Sequence, residues 1–363
     1  MLRSLLSADY PRSRIVTALL VAIVVMLAIT PFVFPGARSL SVAAKVLIFI
    51  VLVASYDLLL GYTGVVSFAH TMFFGIGAYG IAIACTKLGP DWASVLIGLA
   101  SALVISGVLA LVIGLFSLRV RAIFFAMITL AVASAFQTLA SQLSDFTGGE
   151  DGLNFKVPEA LRPSFSLSEE PFLGASLDGK FLSYYLVFGV ALVLFLAMLR
   201  LVNSPFGRVL QAIRENEFRA EALGYRTVVY RTLSNVLAAL FATCAGALLA
   251  LWLRYNGPDT SLSFEIMLDI LLVVVIGGMG TMYGAVIGSA LFILAQSYLQ
   301  DLMKLASEAV AHVPLLAALL SPDRWLLWLG VLFVLSVYNF PSGVVGRLRA
   351  GAAARPKPAE KMR

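Results

Sequence analysis

Charged residues are scarce in this sequence: Asp, Glu, Lys and Arg make up 13% of its 363 residues, against about 25% in a typical soluble domain. Hydrophobic residues make up 60%. A water-soluble fold of this length needs more polar surface, so the composition argues against a soluble globular enzyme. A disordered chain is excluded as well, because disordered segments are poor in apolar residues.

Cysteine and histidine are also rare, with two residues of each. Cys85 and Cys244 both lie in apolar runs, where they are expected to be small packing residues rather than parts of a disulfide framework. His70 and His312 are far apart, and no group of Cys, His and Asp has the spacing of a metal site. We therefore expect this chain to bind no metal and no cofactor.

Sequence motifs for catalysis are missing too. No GxSxG, HExxH or paired-carboxylate arrangement stands out. The stretch Gly174–Lys180 fits the Walker A pattern, but Phe181 stands where a Ser or Thr would bind Mg²⁺. The chain is therefore not expected to be an enzyme, nor to hydrolyse ATP itself.

Long apolar runs are abundant, and a helix that spans the hydrocarbon core needs roughly 20 such residues. Ten runs are candidate spans: Ile15–Phe34, Val42–Leu60, Ser67–Ala84, Trp92–Leu118, Ala122–Leu143, Leu182–Leu201, Thr232–Leu253, Phe264–Ile276, Gly284–Leu299 and Trp325–Tyr338. The second contains Lys45 and Asp57, and the eighth and tenth are short. The predicted fold is an all-α, polytopic integral membrane helix bundle with about ten transmembrane helices, in a range of eight to ten.

The distribution of basic residues predicts how this bundle is oriented. With ten spans, 17 of the 26 Lys and Arg residues fall on the side of the N-terminus, and basic loops face the cytoplasm. Both termini are therefore expected to be cytoplasmic, with residues 1–14 before the transmembrane domain 15–340 and a basic tail at 341–363. Loop 144–181 is then external and loop 204–231 cytoplasmic. The net charge of +6 fits this bias and a lipid environment, and we expect no nucleic-acid partner.

Small residues recur at every fourth position in three of the candidate spans. They are Ser94, Gly98, Ala102, Ser106, Ala110 and Gly114; Ala238, Ala242, Gly246 and Ala250; and Gly280, Gly284 and Gly288. Residues four apart share one helix face, and helices in a bilayer pack closely through small residues. We therefore predict helix packing at Gly98, Ala102, Ser106, Gly246, Gly284 and Gly288, with gating as the alternative role of the glycines.

The most highly charged part of the chain is Ser204–Arg231, between two candidate spans. Pro205 suits a helix start, residues 209–223 are good helix formers, and Gly224 suits the position after a helix end. An apolar edge is expected at Val209, Ile213 and Phe218. Such a helix either docks a soluble partner or lies as an amphipathic linker against lipid headgroups, and the residues alone leave both interpretations open.

Two Gly-rich stretches, Gly61–Gly64 and Gly277–Gly280, follow candidate spans. Backbone that is freed from a helix at membrane depth can bind polar ligands. A role in a substrate pathway or gate is therefore predicted for Gly61, Thr63, Gly64, Ser67, His70, Gly277, Gly278 and Gly280. Tight hairpins are the competing interpretation of both stretches.

Three carboxylates fall inside candidate spans: Asp57, Glu265 and Asp269. A charge at membrane depth is costly unless it is paired, so such residues are functional candidates, and Asp57 and Asp269 join the predicted pathway. Glu265 and Asp269 share a helix face and either bind an ammonium group or make contacts with Lys45. A proton relay, and an interfacial position for Glu265, also stay open.

Four stretches resemble, in order and spacing, the branched-chain amino acid (Liv-type) permease family of ABC importers. They are Leu58–Tyr79 (LLLGYTGVVSFAHTMFFGIGAY), Thr147–Leu153 (TGGEDGL), Gly207–Gly224 (GRVLQAIRENEFRAEALG) and Ile276–Ser289 (IGGMGTMYGAVIGS). The resemblance covers about residues 40–300, and it is to the permease subunit with the longer external loop. Glu150 departs from the family pattern, in which a Ser is expected.

This resemblance implies a permease subunit in a bacterial cytoplasmic (inner) membrane. It would form, with a second Liv-type permease, the pathway for branched-chain amino acids or a close analogue. Two cytoplasmic ATPase subunits would use ATP and Mg²⁺, and a periplasmic binding protein would deliver the solute. Segment 204–231 would sit in a groove on an ATPase. The positions that match the family's coupling motif are Arg214, Glu215, Asn216, Glu217, Ala220 and Gly224.

A proton-coupled secondary transporter that uses Asp57, Glu265 and Asp269 is the alternative function, and an intramembrane enzyme is a third. The charged segment 204–231 favours the importer, because a secondary transporter has no need for a docking helix there. The sequence leaves the solute open among branched-chain amino acids, urea, amides and aromatic acids. It also leaves open whether the Gly-rich stretches are re-entrant and which second permease is the partner.

Overall fold

A computed structural model of the chain describes residues 14–116, 122–166, 178–309 and 319–339, together with Gly343, Val345 and Gly346. The predicted N-terminal segment before Arg14 and most of the predicted basic tail lie outside these residues. The same is true of most of the Walker A-like stretch.

Helices make up nearly all of the described secondary structure. The longer ones are α1 Arg14–Val33, α2 Ala37–Thr63, α3 His70–Leu88, α4 Trp92–Phe116, α5 Ala122–Gln142, α6 Gly179–Val202, α7 Pro205–Glu215, α8 Glu217–Ala222, α9 Thr227–Leu253, α10 Phe264–Gly277, α11 Met282–Ala309 and α12 Trp325–Asn339. Single helical turns occur at Ser144–Thr147, Gly149–Asp151, Glu159–Leu161, Pro258–Ser261 and Pro322–Arg324. Two short strands, β1 Leu153–Asn154 and β2 Tyr255–Asn256, pair antiparallel.

Nine segments of the described chain are long and apolar enough to cross a membrane. Helix α12, with 15 residues, is a shorter tenth candidate. Together they overlap all ten runs that the hydropathy pattern indicates. This result confirms the prediction of an all-α, polytopic membrane bundle, while the side on which the termini lie stays a prediction.

Helices α2 and α11 extend beyond the apolar runs that predicted them, to Ala37 and Ala309. The polar residues in these extensions have partners on the neighbouring helix. Arg38 forms a salt bridge with Asp301, with 2.8 Å between Nη2 and Oδ2, and its guanidinium also lies over the ring of Tyr298. Apolar run length underestimates these helices because paired polar side chains are tolerated at their ends.

Helix α2 lies at the centre of the bundle, where it packs against α6, α9, α10 and α11. Nearly all of its side chains from Ala43 to Thr63 are buried, including those of Tyr56 and Tyr62. A helix that is apolar on all faces belongs in the interior of a bundle. The charged residues that made this span uncertain in the sequence are accommodated by contacts with other helices.

Helices α3, α4 and α9 approach one another through small residues. A Cβ atom added to Gly98 on α4 would lie 2.8 Å from Cβ of Ala84 on α3. One added to Gly246 on α9 would overlap the carbonyl group of Phe74 on α3. Residues Ala102 and Ser106 of α4 are buried in the same interface, and Ser106 accepts a hydrogen bond of 2.7 Å from Thr243 on α9.

The α10–α11 contact is equally close. A Cβ atom at Gly288 would lie 2.7 Å from the carbonyl oxygen of Val273. One at Gly284 would lie 2.8 Å from the carbonyl carbon of Gly277. The predicted packing glycines of α11 therefore lie where the backbone of α10 leaves no room for a side chain.

The segment after α5 contains the TGGEDGL stretch, whose glycines have positive φ angles: +75° at Gly148, +65° at Gly149 and +70° at Gly152. This left-handed region favours glycine. A Cβ atom at Gly152 would lie 2.6 Å from the carbonyl oxygen of Asn256 on β2. The stretch therefore ties this loop to the connection between α9 and α10, and its glycines are explained by backbone geometry.

Candidate coupling and gate site

The charged segment forms two consecutive helices, α7 and α8, and not the single helix expected over Val209–Leu223. Ser204 accepts a hydrogen bond from the Gly207 amide at the start of α7, and Pro205 occupies the first turn, as the sequence predicts. Asn216 then adopts an extended conformation with φ −159° and ψ 101°. Its side-chain oxygen accepts a hydrogen bond of 2.9 Å from the Arg219 amide, so Asn216 ends one helix and caps the next.

Replacing Asn216 by Ala is expected to loosen α8. The cap bond to the Arg219 amide is lost, and removal of such a cap costs about 0.5–2 kcal/mol. Hydrogen exchange followed by mass spectrometry should show faster exchange of the amides of Glu217–Ala222. Asn216→Asp keeps the accepting oxygen and is the matched control. Unchanged protection in Asn216→Ala would contradict the capping role.

The buried face of this helix pair differs from the predicted apolar edge. Leu210, Ile213 and Ala220 are buried against the bundle, whereas Phe218, which the sequence placed on the apolar edge, is 85% exposed. Leu223 is 71% exposed. The break at Asn216 rotates α8 relative to α7, and two large apolar side chains therefore project from the surface.

Polar contacts fix α8 to the start of α9. Glu217 forms a salt bridge with Arg231, with 2.7 Å between Oε1 and Nη1. Thr227 donates a hydrogen bond of 2.7 Å to Glu221. Gly224 lies between the two helices with φ +91°, the left-handed conformation expected after a helix end. Neither pair could be predicted from the sequence, because both depend on how the turn at 223–226 places α8 against α9.

An open groove of about 830 Å³ lies between α7 and the start of α9. Its lining is mainly apolar and aromatic and includes Phe206, Val209, Tyr225, Tyr230 and Leu233. Phe206 stacks on Tyr230 with 5.7 Å between ring centroids. The exposed helix pair thus combines a charged outer face with an apolar groove beside it.

The two Gly-rich stretches end helices in this structure. Gly64 follows the last residue of α2 with φ +76°, and residues 64–69 connect to α3, so the third span begins at His70 rather than at the predicted Ser67. Gly278 and Gly280 have φ angles of +114° and +78° and form the short turn between α10 and α11. Both turns are possible because glycine adopts positive φ angles without steric strain.

These two turns lie against each other and against Arg214 of α7. The Arg214 guanidinium donates a hydrogen bond from Nη1 to the Gly61 carbonyl oxygen. Asp57, which is 1% exposed, accepts a hydrogen bond of 2.9 Å from the Gly280 amide. A Cβ atom at Gly280 would lie 2.7 Å from Nη1 of Arg214 and 2.9 Å from the Gly61 oxygen. The sequence proposed these residues separately, and the structure brings them together.

Other residues of the predicted pathway hold neighbouring helices together. The Thr63 hydroxyl lies 2.9 Å from the Ser234 hydroxyl of α9. Nε2 of His70 lies 2.8 Å from the Ser55 hydroxyl, and its ring contacts Tyr56. The Ser67 hydroxyl is buried and accepts a hydrogen bond from the Ala69 amide. These side chains are therefore engaged within the protein and do not join the Arg214 contact.

The intramembrane charges separate into two places. Lys45 donates a hydrogen bond of 3.0 Å to Gln296 on α11, and the Asp269 carboxylate interacts with both residues. Glu265, Asp269 and Gln296 line a cavity of about 780 Å³ between α10, α11 and α12. Asp57 lies twelve residues after Lys45 on α2, or about 18 Å along the helix. The structure does not bring Asp57 to this cavity.

Comparison with known proteins agrees with the resemblance that the four motif stretches indicated. Residues 38–336 match the family described as the permease component of branched-chain amino acid transport systems. The chain is 27% identical over 296 residues to the high-affinity branched-chain amino acid transport system permease protein LivM of Salmonella typhimurium, an alignment that covers 78% of this chain and 68% of that protein. LivM of Escherichia coli is 26% identical over 298 residues, with the same coverage.

A more distant relative comes from Methanocaldococcus jannaschii. This probable branched-chain amino acid transport permease protein LivM is 25% identical over 250 residues, which are 67% of each chain. No solved structure gives a significant match.

Proposed function

Because the chain belongs to the family of permease components of branched-chain amino acid transport systems, we propose that it is a transmembrane permease subunit of an ABC importer. It pairs with a second permease of the same type, and partner subunits that bind ATP and Mg²⁺ supply the energy. The solute is a branched-chain amino acid or a close analogue, in keeping with the names of the three LivM relatives. This chain performs no hydrolysis itself.

The observation that carries this proposal is the surface formed by α7 and α8. It presents exposed Phe218 and Leu223 next to the charged residues Glu215 and Arg219. Exposed apolar side chains surrounded by charge are typical of protein interaction sites. Helix α7 is anchored to the bundle through buried Ile213 and through the hydrogen bond from Arg214 to Gly61. We propose that this surface docks a cytoplasmic ATPase subunit.

The remaining partners follow from the orientation that the basic residues predict. Helices α7 and α8 lie on the cytoplasmic side of a bacterial inner membrane in this proposal. The loop that contains β1 and the TGGEDGL stretch then faces the periplasm, where a substrate-binding protein delivers the solute. The connections from α2 to α3 and from α10 to α11 lie at the cytoplasmic end of the pathway.

The acidic cavity between α10, α11 and α12 is the second element of the proposal. Charged side chains at membrane depth face protein or water rather than lipid. Glu265, Asp269 and Gln296 line the cavity, so we propose that it forms part of the wall of the solute pathway. The apolar side chains that line the rest of the cavity, such as Leu272 and Phe333, suit an aliphatic solute.

A charge-reversal experiment tests the docking surface. Glu215→Arg reverses the charge of an exposed residue. If Glu215 faces a basic residue of the ATPase, this change is expected to lower co-purification of the ATPase subunits and solute uptake at least about tenfold, since like charges across an interface cost several kcal/mol. Glu217→Arg breaks the salt bridge to Arg231 and should also lower both. The double variant Glu217→Arg/Arg231→Glu restores a salt bridge between these two positions with the charges exchanged. It is the matched control, because it keeps α8 in place while the charge at position 217 is reversed.

Three outcomes are informative. Restored ATPase binding in the Glu217/Arg231 exchange variant would show that Glu217 acts through the position of α8 and not through direct contact with the ATPase. Full uptake by Glu215→Arg would contradict docking at this surface. Uptake that needs no ATPase and collapses on addition of a proton ionophore would favour a secondary transporter that uses Asp57, Glu265 and Asp269.

A further inference from the structure

Arg214 is a side chain through which the surface helices reach the transmembrane core. It lies near the end of α7, next to the break at Asn216. Its guanidinium donates to the Gly61 carbonyl oxygen in the last turn of α2, and its side-chain carbons lie against Gly64, where an added Cβ atom would be 3.4 Å from Arg214 Cγ. One residue of α7 therefore lies against both Gly61 and Gly64 at the end of the central helix.

The α10–α11 turn is held against the same place. Its Gly280 amide donates to the Asp57 carboxylate, and an added Cβ atom at Gly280 would lie 2.7 Å from Arg214 Nη1. An added Cβ atom at Gly61 would overlap both Asp57 and the Gly280 amide. The two turns, Asp57 and Arg214 thus form one contact without space for any side chain between the backbones.

This arrangement restricts how α7 can move. A displacement of α7 must either break the hydrogen bond from Arg214 to Gly61 or carry the end of α2 with it. Because packed interfaces respond by switching between discrete arrangements rather than by continuous deformation, a small shift of α7 changes the contact as a unit. Helix α2 packs against α6, α9, α10 and α11, so its movement reaches most of the bundle.

We propose that Arg214 is the positioning residue that transmits movement of α7 to the ends of α2 and α10, and that the Asp57–Gly280 contact is the latch that this movement opens and closes. The inference rests on the proposed function, in which α7 moves with a docked ATPase. Arg214 is an exposed residue whose guanidinium reaches the end of α2, and in this inference it acts through that contact and not by docking the ATPase. Opening of the latch separates the two Gly turns at the cytoplasmic end of the pathway.

The test uses the complete transporter in proteoliposomes, with solute uptake and ATP hydrolysis measured on the same sample. Arg214→Ala is expected to retain the ATPase subunits and hydrolysis within about twofold, while uptake falls at least tenfold, so that the ATP consumed per solute rises. Arg214→Lys keeps a cationic donor and should restore part of the uptake. Arg226→Ala replaces an exposed arginine of the same segment and should leave the ratio unchanged.

Variants of the latch itself give an independent result. Asp57→Ala removes the acceptor of the Gly280 amide and is expected to raise the ATP consumed per solute, as Arg214→Ala does. Asp57→Asn keeps an accepting oxygen and should lie closer to the original protein. If Arg214→Ala fails to fold, Arg214→Gln, which retains an N–H donor of similar length without the charge, takes its place.

The outcomes separate this inference from the proposed function. An unchanged ratio in Arg214→Ala and Asp57→Ala would overturn the latch. Loss of the ATPase subunits from Arg214→Ala would also overturn it, because Arg214 would then be a docking residue. Absence of ATPase subunits from the original protein would instead refute the importer.

Discussion

Replacing Gly246 by Leu is expected to remove most of the folded protein from the membrane. A Cβ atom at this position would overlap the Phe74 carbonyl group of α3 and lie 3.1 Å from the Ala78 amide. The reverse contact is as close, since a Cβ atom at Gly77 of α3 would overlap the backbone of Thr243 on α9. Overpacking of a core costs about 1–3 kcal/mol and occasionally more, and here the backbones themselves must separate.

The measurement is the amount of monodisperse protein after mild detergent extraction, compared at equal expression. A loss of about 2 kcal/mol or more lowers the ratio of folded to unfolded protein more than twentyfold. Gly189→Leu is the matched control, because Gly189 also lies inside a long helix but an added Cβ atom there has no neighbour within 4 Å. Normal recovery of Gly246→Leu alongside Gly189→Leu would contradict close packing of α3 on α9.

The helices themselves were largely predictable from the sequence. Apolar runs identified all nine candidate spans of the described residues, because a helix that crosses the hydrocarbon needs roughly 20 mostly apolar residues. The small-residue spacing selected Gly98, Gly246 and Gly288, each of which lies where another backbone approaches within contact distance. The apolar runs and the small-residue spacing both lie within single helices, so each can be read directly from the sequence. The family match over residues 38–336 likewise confirms the resemblance that the four motif stretches indicated.

Helix ends were predicted where a residue type determines the backbone conformation. Pro205 and Gly224 lie at the start of α7 and after the end of α8, because proline suits the first turn and glycine the left-handed position. The break at Asn216 was missed. Asn is compatible with a helix interior, and its capping role is apparent only once its side chain is seen to accept from Arg219.

The candidate site could be predicted only in pieces. Asp57, Gly61, Arg214 and Gly280 each had a reason to be noticed, but up to 223 residues separate Asp57 from Gly280. No periodicity connects residues on two separate helices and a distant turn. Their meeting depends on how α2, α7 and α10 pack, which is a property of the tertiary structure.

Replacing Lys45 by Met is expected to destabilise the bundle more than replacing both Lys45 and Asp269 by uncharged residues. Lys45 donates to Gln296, and Asp269 interacts with both of them at membrane depth. Lys45 and Asp269 are both partly buried, and removing one of two such opposite charges leaves the other uncompensated, which is expected to cost more than the roughly 0–1 kcal/mol of an exposed salt bridge. Lys45→Met and Asp269→Asn should each show this loss, while Lys45→Met/Asp269→Asn should recover much of it.

Thermal unfolding of the purified protein in lipid nanodiscs measures this double-mutant cycle. Asp301→Asn is the control, since it breaks the Arg38–Asp301 salt bridge, which joins α2 to α11. In that pair the side chains are 62% and 53% exposed, and exposed salt bridges contribute only about 0–1 kcal/mol. Additive effects of Lys45→Met and Asp269→Asn would contradict a direct interaction between the two charges.

Uptake by the double variant then separates a structural role of this charge pair from a role in the pathway. Asp269 lines the cavity between α10, α11 and α12, whereas Lys45 donates to Gln296 and is not among the residues that line the cavity. If the Asp269 carboxylate binds the solute's ammonium group, the stable double variant should need a higher solute concentration for half-maximal uptake, with ATPase binding unchanged. If the pair only holds α2, α10 and α11 together, restored stability should restore uptake at the original concentration.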